Sequence, residues 1–395
     1  MEAYLDNAAT TQASESVCAI VSEALVTNYG NPSSMHRKGI EAEKYIKETK
    51  DIIAKTLKVE PKEIVFTSGG TESNNMALIG AALANNRAGN HIITTRFEHP
   101  SVYNPLIMLE EFGFRISFID VDLNGQIHME QLLEQVCEDT ILVSVMYVNN
   151  EVGAIQDIAQ ISRAIKNKKP NVLFHVDAIQ AFGKLKIYPK REGIDLMSVS
   201  GHKFHGPKGS GFLYIKDKTK VKPIIYGGGQ QKDMRSGTEN VPAIAGLGVA
   251  VREIYENHEA KLATMYELKE HLIKGLQAIE GVTVNAIYAN DSSLELGEAI
   301  RKTAPHVISA SFMGVRSEVL LHALEDKGIY VSSGSACSSN HPAISGTLTA
   351  IGVKPELLDS TIRFSISVNT TLEEIDYALA ALNELLPVLR KYSRK

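Results

Sequence analysis

Between residues 92 and 161 the apolar positions alternate between two periods. The run at 141–147 is almost continuously apolar, as a strand covered on both faces would be. Near Leu106, Leu132 and Ile161 the apolar residues recur at spacings of three and four, which marks amphipathic helices. Strands near Ile92 and Ile116 complete the series. This rhythm of strand and helix predicts βαβ units and a mostly parallel sheet, an α/β fold. The sheet pattern continues through 172–177, 194–199 and 211–215, and Pro242 opens one long helical pattern that runs to about Ile279. Beyond it, a strand-like segment at 307–312 and helical segments at 318–327 and 372–389 make a smaller α+β unit. The pattern divides the chain into a large first unit and a smaller second one that begins near residue 260.

The length of 395 residues is ample for two domains with large cores. A net charge of −5 argues against general binding of nucleic acid or an anionic membrane. The basic tail at 389–395 reads as the solvated end of a helix, where cations are favoured. The first residues carry no basic region followed by an apolar run, and no stretch approaches the ~20 apolar residues that span a bilayer. The three cysteines, Cys18, Cys137 and Cys337, are odd in number and far apart, which suits a reducing compartment and makes the cytoplasm the expected location. Cys18 and Cys137, in apolar helical surroundings, read as small buried hydrophobes.

Chemistry enters at residues 194–209. An apolar strand there delivers Lys203 into a glycine-rich turn, and the active sites of open α/β sheets lie just beyond such carboxyl ends. Partial desolvation would bring the amine below its usual ~10.4 and free it for Schiff-base formation. A second strand, 172–177, ends in the carboxylate of Asp177. Lysine and strand-end aspartate together point to pyridoxal phosphate (PLP), which needs an amine for its aldehyde and an anion for its ring nitrogen. A strand, Ser68-Gly69-Gly70-Thr71 and a helix start supply a phosphate cradle of backbone N–H groups and the Thr71 hydroxyl, although the same residues also make an ordinary helix cap.

With these elements in place the chain resembles the cysteine desulfurases, within the class V aminotransferase family of PLP enzymes, nearly end to end. The matching motifs are Tyr4 to Thr11, Gly30 to Ser34 with His36 and Gly39, Thr67 to Asn75, Glu98-His99, Asn149 to Gly153, Asp177 to Gln180, Ser200 to Lys203, Arg235 to Asn240, Ser333 to Ser338 and Ile362 to Ser365. The resemblance implies a fold-type I PLP-dependent transferase and a homodimer, with a mostly parallel seven-stranded sheet in a large domain over 16–259 and a small α+β domain from 1–15 and 260–395, where the first residues would pack with the C-terminal unit. It implies Lys203 as the Schiff-base lysine and Cα base, Asp177 on the ring nitrogen, and His99 on the ring face and as a candidate acid. Gly70, Thr71, Ser200 and His202 would hold the phosphate, with Thr238 reaching the site of the neighbouring subunit. Gln180 would bond the ring oxygen, and Asn149 and Arg363 the substrate carboxylate side.

Cys337, in a Ser/Gly-rich stretch, would take sulfur from L-cysteine as a persulfide, leaving L-alanine. The sulfur would pass to an acceptor or cluster scaffold, for iron–sulfur assembly or tRNA thiolation; whether Cys337 also ligates an iron in passing stays open. Gln231 and Asp233 stand where many relatives have glutamate and glycine, which leaves that dimer-loop backbone open. Taken alone, Asn149 reads as a turn former, and His99, before Pro100, as a helix-entry residue. Three other readings remain: a selenocysteine lyase or other class V enzyme, a noncatalytic sulfur carrier built on Cys337, and a metal hydrolase using His175, Asp177, His202 and His205.

Overall fold

The computed structural model describes residues 1–288, 293–333 and 345–392. Among the described residues, thirteen strands make three sheets. In chain order they are β1 (Ala3–Tyr4), β2 (Ile64–Thr67), β3 (His91–Thr95), β4 (Arg115–Ile119), β5 (Thr140–Met146), β6 (Leu173–Asp177), β7 (Leu196–Ser200), β8 (Gly211–Ile215), β9 (Val282–Val284), β10 (Val307–Phe312), β11 (Ile329–Tyr330), β12 (Ser332–Ser333) and β13 (Thr361–Ser365). The large sheet has seven strands in the order β2-β8-β7-β6-β5-β3-β4. Neighbours from β7 through β4 pair in parallel, and β8 runs antiparallel to both β2 and β7. The smaller sheet, β12-β13-β10-β9, is antiparallel throughout.

Alternation along the strands explains why the large sheet needs cover on both faces. Phe212 and Tyr214 of β8 pack in one apolar cluster with Phe174 and Val199, whereas Leu213 and Ile215 pack in another with Leu142 and Leu196. The smaller sheet has its own apolar cluster, built from Ile308, Ala310, Phe364 and the helix Leu372–Tyr392. The N-terminal residues run along this second unit, with β1 pairing in parallel with β11 and the Asn7 amide donating to the Ser365 carbonyl at 3.0 Å.

Two expectations change. The helical pattern from Pro242 is two helices, Val241–Tyr255 and His258–Gln277, because Asn257 adopts the left-handed conformation at φ 50° and turns the chain between them. Cys18 and Cys137 are exposed. The helix Glu15–Val26 buries Val17 and Ala24, which turns Cys18 outward, and Cys137 falls past the end of the helix Met129–Gln135 in the turn to β5.

In the loop at 231–233, three consecutive non-glycine residues, Gln231, Lys232 and Asp233, are left-handed. The Gln231 side chain offsets that strain by accepting from the Phe66 N–H at 2.7 Å and donating to the Phe66 carbonyl at 2.8 Å, so that it continues the hydrogen bonding of edge strand β2.

Candidate active site

Parallel pairing sets Asp177 opposite Ser198, so the carboxyl ends of β6 and β7 open at one edge of the sheet. Lys203 follows three residues after β7, in the short 3-10 turn Gly201–Lys203. The next residue, Phe204, is fully buried with its ring 4.9 Å from that of Phe182, an anchor that contributes roughly 1.5–3 kcal/mol. The N-terminal segment clamps the same turn. Thr11 donates its N–H and its hydroxyl to the His202 carbonyl, each at 2.9 Å, and its hydroxyl oxygen accepts from the His205 N–H. The Lys203 ammonium donates to the carbonyls of Ala8 and Ala9 at 2.6 and 2.7 Å. Lys203, Asp177 and His99 line one cavity of about 520 Å³ with Gly70, Thr71, Gln180, Ser200, His202 and Arg363.

Asp177 is buried, with one carboxylate oxygen accepting from the Ile179 N–H at 3.0 Å and the other from the Asn74 amide at 2.8 Å. Burial pushes its carboxyl group up, opposed by those hydrogen bonds and by the nearby His99 and Lys203. A cation placed against this carboxylate would recover what desolvation costs it. His99 caps the helix Pro100–Glu111, its Nδ1 accepting from the Ser101 N–H at 3.0 Å and lying 2.7 Å from the Ser101 hydroxyl. Burial lowers the imidazole's affinity for a proton. Gln180 donates to the Ala8 carbonyl at 3.0 Å, and its own carbonyl lies 2.9 Å from Nε2 of buried His306.

The cradle forms where β2 meets the helix Gly70–Asn85. Gly69 lies at φ 141°, a backbone conformation that favours glycine, and a Cβ on Gly70 would come within 2.2 Å of Ile179 Cδ1, so that side chain would have to move to admit one. Thr71, Ser200, His202 and Lys208 surround the recess in front of this helix N-terminus, the place where an anion is favoured. His202 is held down to about 4 by burial first and then by Lys203, Lys208 and Lys184, which leaves it neutral near pH 7. An amine, a buried carboxylate, a donor-rich cradle and a cavity of this size fit PLP.

At the cavity's other end, Arg363 donates to Asp6 Oδ1 at 2.8 Å and to the Asn150 carbonyl at 3.0 Å, while its buried Nε has no partner among the described residues. Ser332 and Ser333 line this end, and the Ser345 hydroxyl donates to Glu151 at 2.5 Å. Cys337 lies outside the described residues.

Two sequence candidates stand apart. The carbonyl oxygen of the Asn149 side chain accepts from the N–H groups of Glu151 and Val152 and its amide donates to the Phe97 carbonyl, the arrangement of a turn former; Asn150 and Glu151 line the cavity in its place. Thr238 is exposed beside a separate recess with Gln231 and Arg235. The residues proposed above as metal ligands are engaged elsewhere. Both ring nitrogens of His175 lie against the hydroxyls of Ser144 and Ser198, and His205 Nδ1 against the Gln12 carbonyl. Among the described residues, no group of three or more His, Cys, Asp and Glu is placed to hold a metal ion.

Sequence reading gave no role to Glu98, although it stands in a matching motif; its Oε1 accepts from the Thr95 hydroxyl and the Met146 N–H, its Oε2 has no partner among the described residues, and burial pushes its carboxyl group up to about 8. It gave none to Asn74, inside the Thr67 to Asn75 motif, and passed over Ser101, which carries no local signal beyond helix-start composition.

Residues 3–378 match the family model described as Aminotransferase class-V. The chain is 39% identical over 393 residues to the cysteine desulfurase IscS of Dictyoglomus turgidum, covering 99% of this chain and 96% of the relative. A solved structure titled NIFS-LIKE PROTEIN superposes with a TM-score of 0.90 at 36% identity, over 98% of this chain and all (100%) of that one. Another, titled SspA in complex with cysteine, gives 0.78 at 30% identity, over 93% and 100%.

Proposed function

The chain belongs to the class V aminotransferase family, in its cysteine desulfurase branch, and from that premise we propose that its cavity holds PLP on Lys203 and takes the sulfur from L-cysteine, leaving L-alanine. The observation that carries this reading is the convergence of the Lys203 amine, the buried Asp177 carboxylate and the Arg363 guanidinium on one cavity. When bound, PLP supplies an aldehyde that holds the substrate amine and a ring that accepts the electrons left when Cα loses its proton.

The residues of this chain do the rest. Lys203 Nζ, held by two backbone carbonyls, would move the Cα proton. Asp177 would hold a proton on the ring nitrogen, and a cation there would relieve the burial cost of its carboxylate. Gly70, Thr71, Ser200 and His202 would hold the phosphate, Gln180 the ring oxygen and His99 the ring. Arg363 Nη1 and Nη2 each carry a second hydrogen beyond those given to Asn150 and Asp6, so the guanidinium can grip the substrate carboxylate with two nitrogens, and Asn149 supports that wall by fixing the turn that presents Asn150. The Cys337 thiolate forms the new S–S bond as the substrate's C–S bond breaks, and the carbon fragment gains protons to leave as alanine.

The remaining parts of the reading rest on family likeness. They are a homodimer in which Thr238 reaches the neighbouring phosphate, an acceptor or cluster scaffold for the persulfide sulfur, service to iron–sulfur assembly or tRNA thiolation, and passing iron ligation by Cys337. The separate apolar clusters and the break at Asn257 support the two-domain division. Two exposed free thiols fit a cytoplasmic location, and no helix among the described residues is long and apolar enough to cross a membrane. Purified protein given PLP and L-cysteine is expected to turn yellow, form alanine and carry a sulfane sulfur on the Cys337 peptide by mass; absence of alanine would overturn the proposal.

A further inference from the structure

We infer that Asn74 and Ser101 form a directional hydrogen-bond relay that locks His99 as the neutral Nε2–H tautomer, making Asn74 and Ser101 positioning residues. Direction follows from counting hydrogens. The Asn74 amide donates one to Asp177 Oδ2 at 2.8 Å and the other to Ser101 Oγ at 2.9 Å. Asp177 fixes that orientation, because a carboxylate accepts and does not donate, and the amide oxygen turned away is left buried without a partner. Ser101 Oγ therefore accepts from Asn74, and its single hydrogen goes to His99 Nδ1 at 2.7 Å.

The Ser101 backbone N–H points at the same nitrogen from 3.0 Å. With two donors converging on it, Nδ1 has no room for a hydrogen of its own. The ring hydrogen sits on Nε2, and a second proton would have to break the contact with the Ser101 N–H and reverse that with the Ser101 hydroxyl. Asn74 and Ser101 are both buried, so water does not stand in for either.

The surrounding charges do not reverse the lock. Asp177 on β6 draws a proton toward the ring, while burial and Lys203 oppose it. Glu98 beside it keeps its own proton to about 8, and burial also pushes Glu151 up. His202, Arg363 and Asp6 complete the ionisable wall of the cavity. His99 thus presents a hydrogen-bond donor to the cavity and no proton-accepting nitrogen. The role of protonated acid, expected for it from sequence, then falls to another group. For the reaction, the inference rests on the desulfurase reading; for the tautomer, it stands on geometry alone.

The test is a nitrogen NMR spectrum of the PLP-loaded full chain with labelled histidine, His99 being assigned by its loss in His99→Gln. One protonated nitrogen at Nε2 and a bare Nδ1 are expected at neutral pH and on into acid below the ordinary ~6.5 of a free imidazole. Ser101→Ala removes one of the two donors and is expected to let His99 titrate closer to the ordinary ~6.5, with alanine formation slowed about tenfold and its acid limb displaced. Ser101→Thr, which keeps the hydroxyl, is expected to restore both. A hydrogen on Nδ1 in the unaltered protein, or titration there near the ordinary value, overturns the relay. Should the unaltered protein make no alanine while Nδ1 stays bare, the desulfurase reading fails and the relay stands.

Discussion

The two ends of the cavity are built by opposite rules. At the inner end Asp177, Asn74, Ser101 and His99 are tied in sequence, with both Asp177 oxygens and both Asn74 amide hydrogens engaged. At the outer end Arg363 is held by one oxygen of Asp6 and one backbone carbonyl, and a buried nitrogen is left over. The difference separates two tasks. A group that must keep one charge in one place through every turnover gains from over-determined bonding, whereas a group that must grip and release each substrate needs bonding capacity in reserve.

The inner end is expected to be the more sensitive. Asp177→Asn keeps the shape but removes the charge, and steady-state kinetics should show kcat reduced roughly 10²–10³-fold, the usual cost of losing a preorganised electrostatic partner. A loss below fivefold would break the contrast. At the outer end, Arg363→Lys keeps the charge but not the two-nitrogen grip, so KM for cysteine should rise on the order of 10–100-fold while kcat changes less.

Behind the inner end, fully buried His175 is held down to about 3. The unfolded chain binds that proton near 6.5 and the folded protein does not, so its share of stability is complete above pH 6.5 and is lost as pH falls toward 3, by roughly 1.4 kcal/mol per pH unit. Urea unfolding at stepped pH should show a shallower loss in His175→Asn. The smallest effect is expected from Asp6→Asn, which removes the anion competing with substrate for Arg363; KM should fall by about fivefold or less, as a partly exposed ion pair allows.

What was legible in the sequence divides along the same line. The strands that set the inner end are largely apolar runs broken only by single polar residues such as Ser144, His175 and Ser198, so β5, β6 and β7 and the lysine and aspartate at their ends could be read directly. The relay could not, because residues 74, 101 and 177 are joined only by strand order, and short polar residues in a helix's first turn look like caps. Asn257 went unread because a helical period crosses it unbroken, and only its left-handed backbone ends the first helix. Cys18 and Cys137 were assigned to the interior from apolar neighbours, whereas helix phase and a turn set their exposure. Arg363 carries no local signal of its own, since an arginine in an apolar strand has the same pattern whether it binds substrate or solvent.

The central claim is that one particular amine holds the cofactor, and the structure supplies a competitor. Buried Lys184 donates to the Lys203 carbonyl, and burial first, then the charge of Lys203, lowers its amine to about 7. Borohydride reduction of the PLP-loaded protein followed by peptide mass mapping distinguishes the two. A reduced pyridoxyl group on the Lys203 peptide is the expected result, and modification of Lys184 with Lys203 untouched would contradict the account.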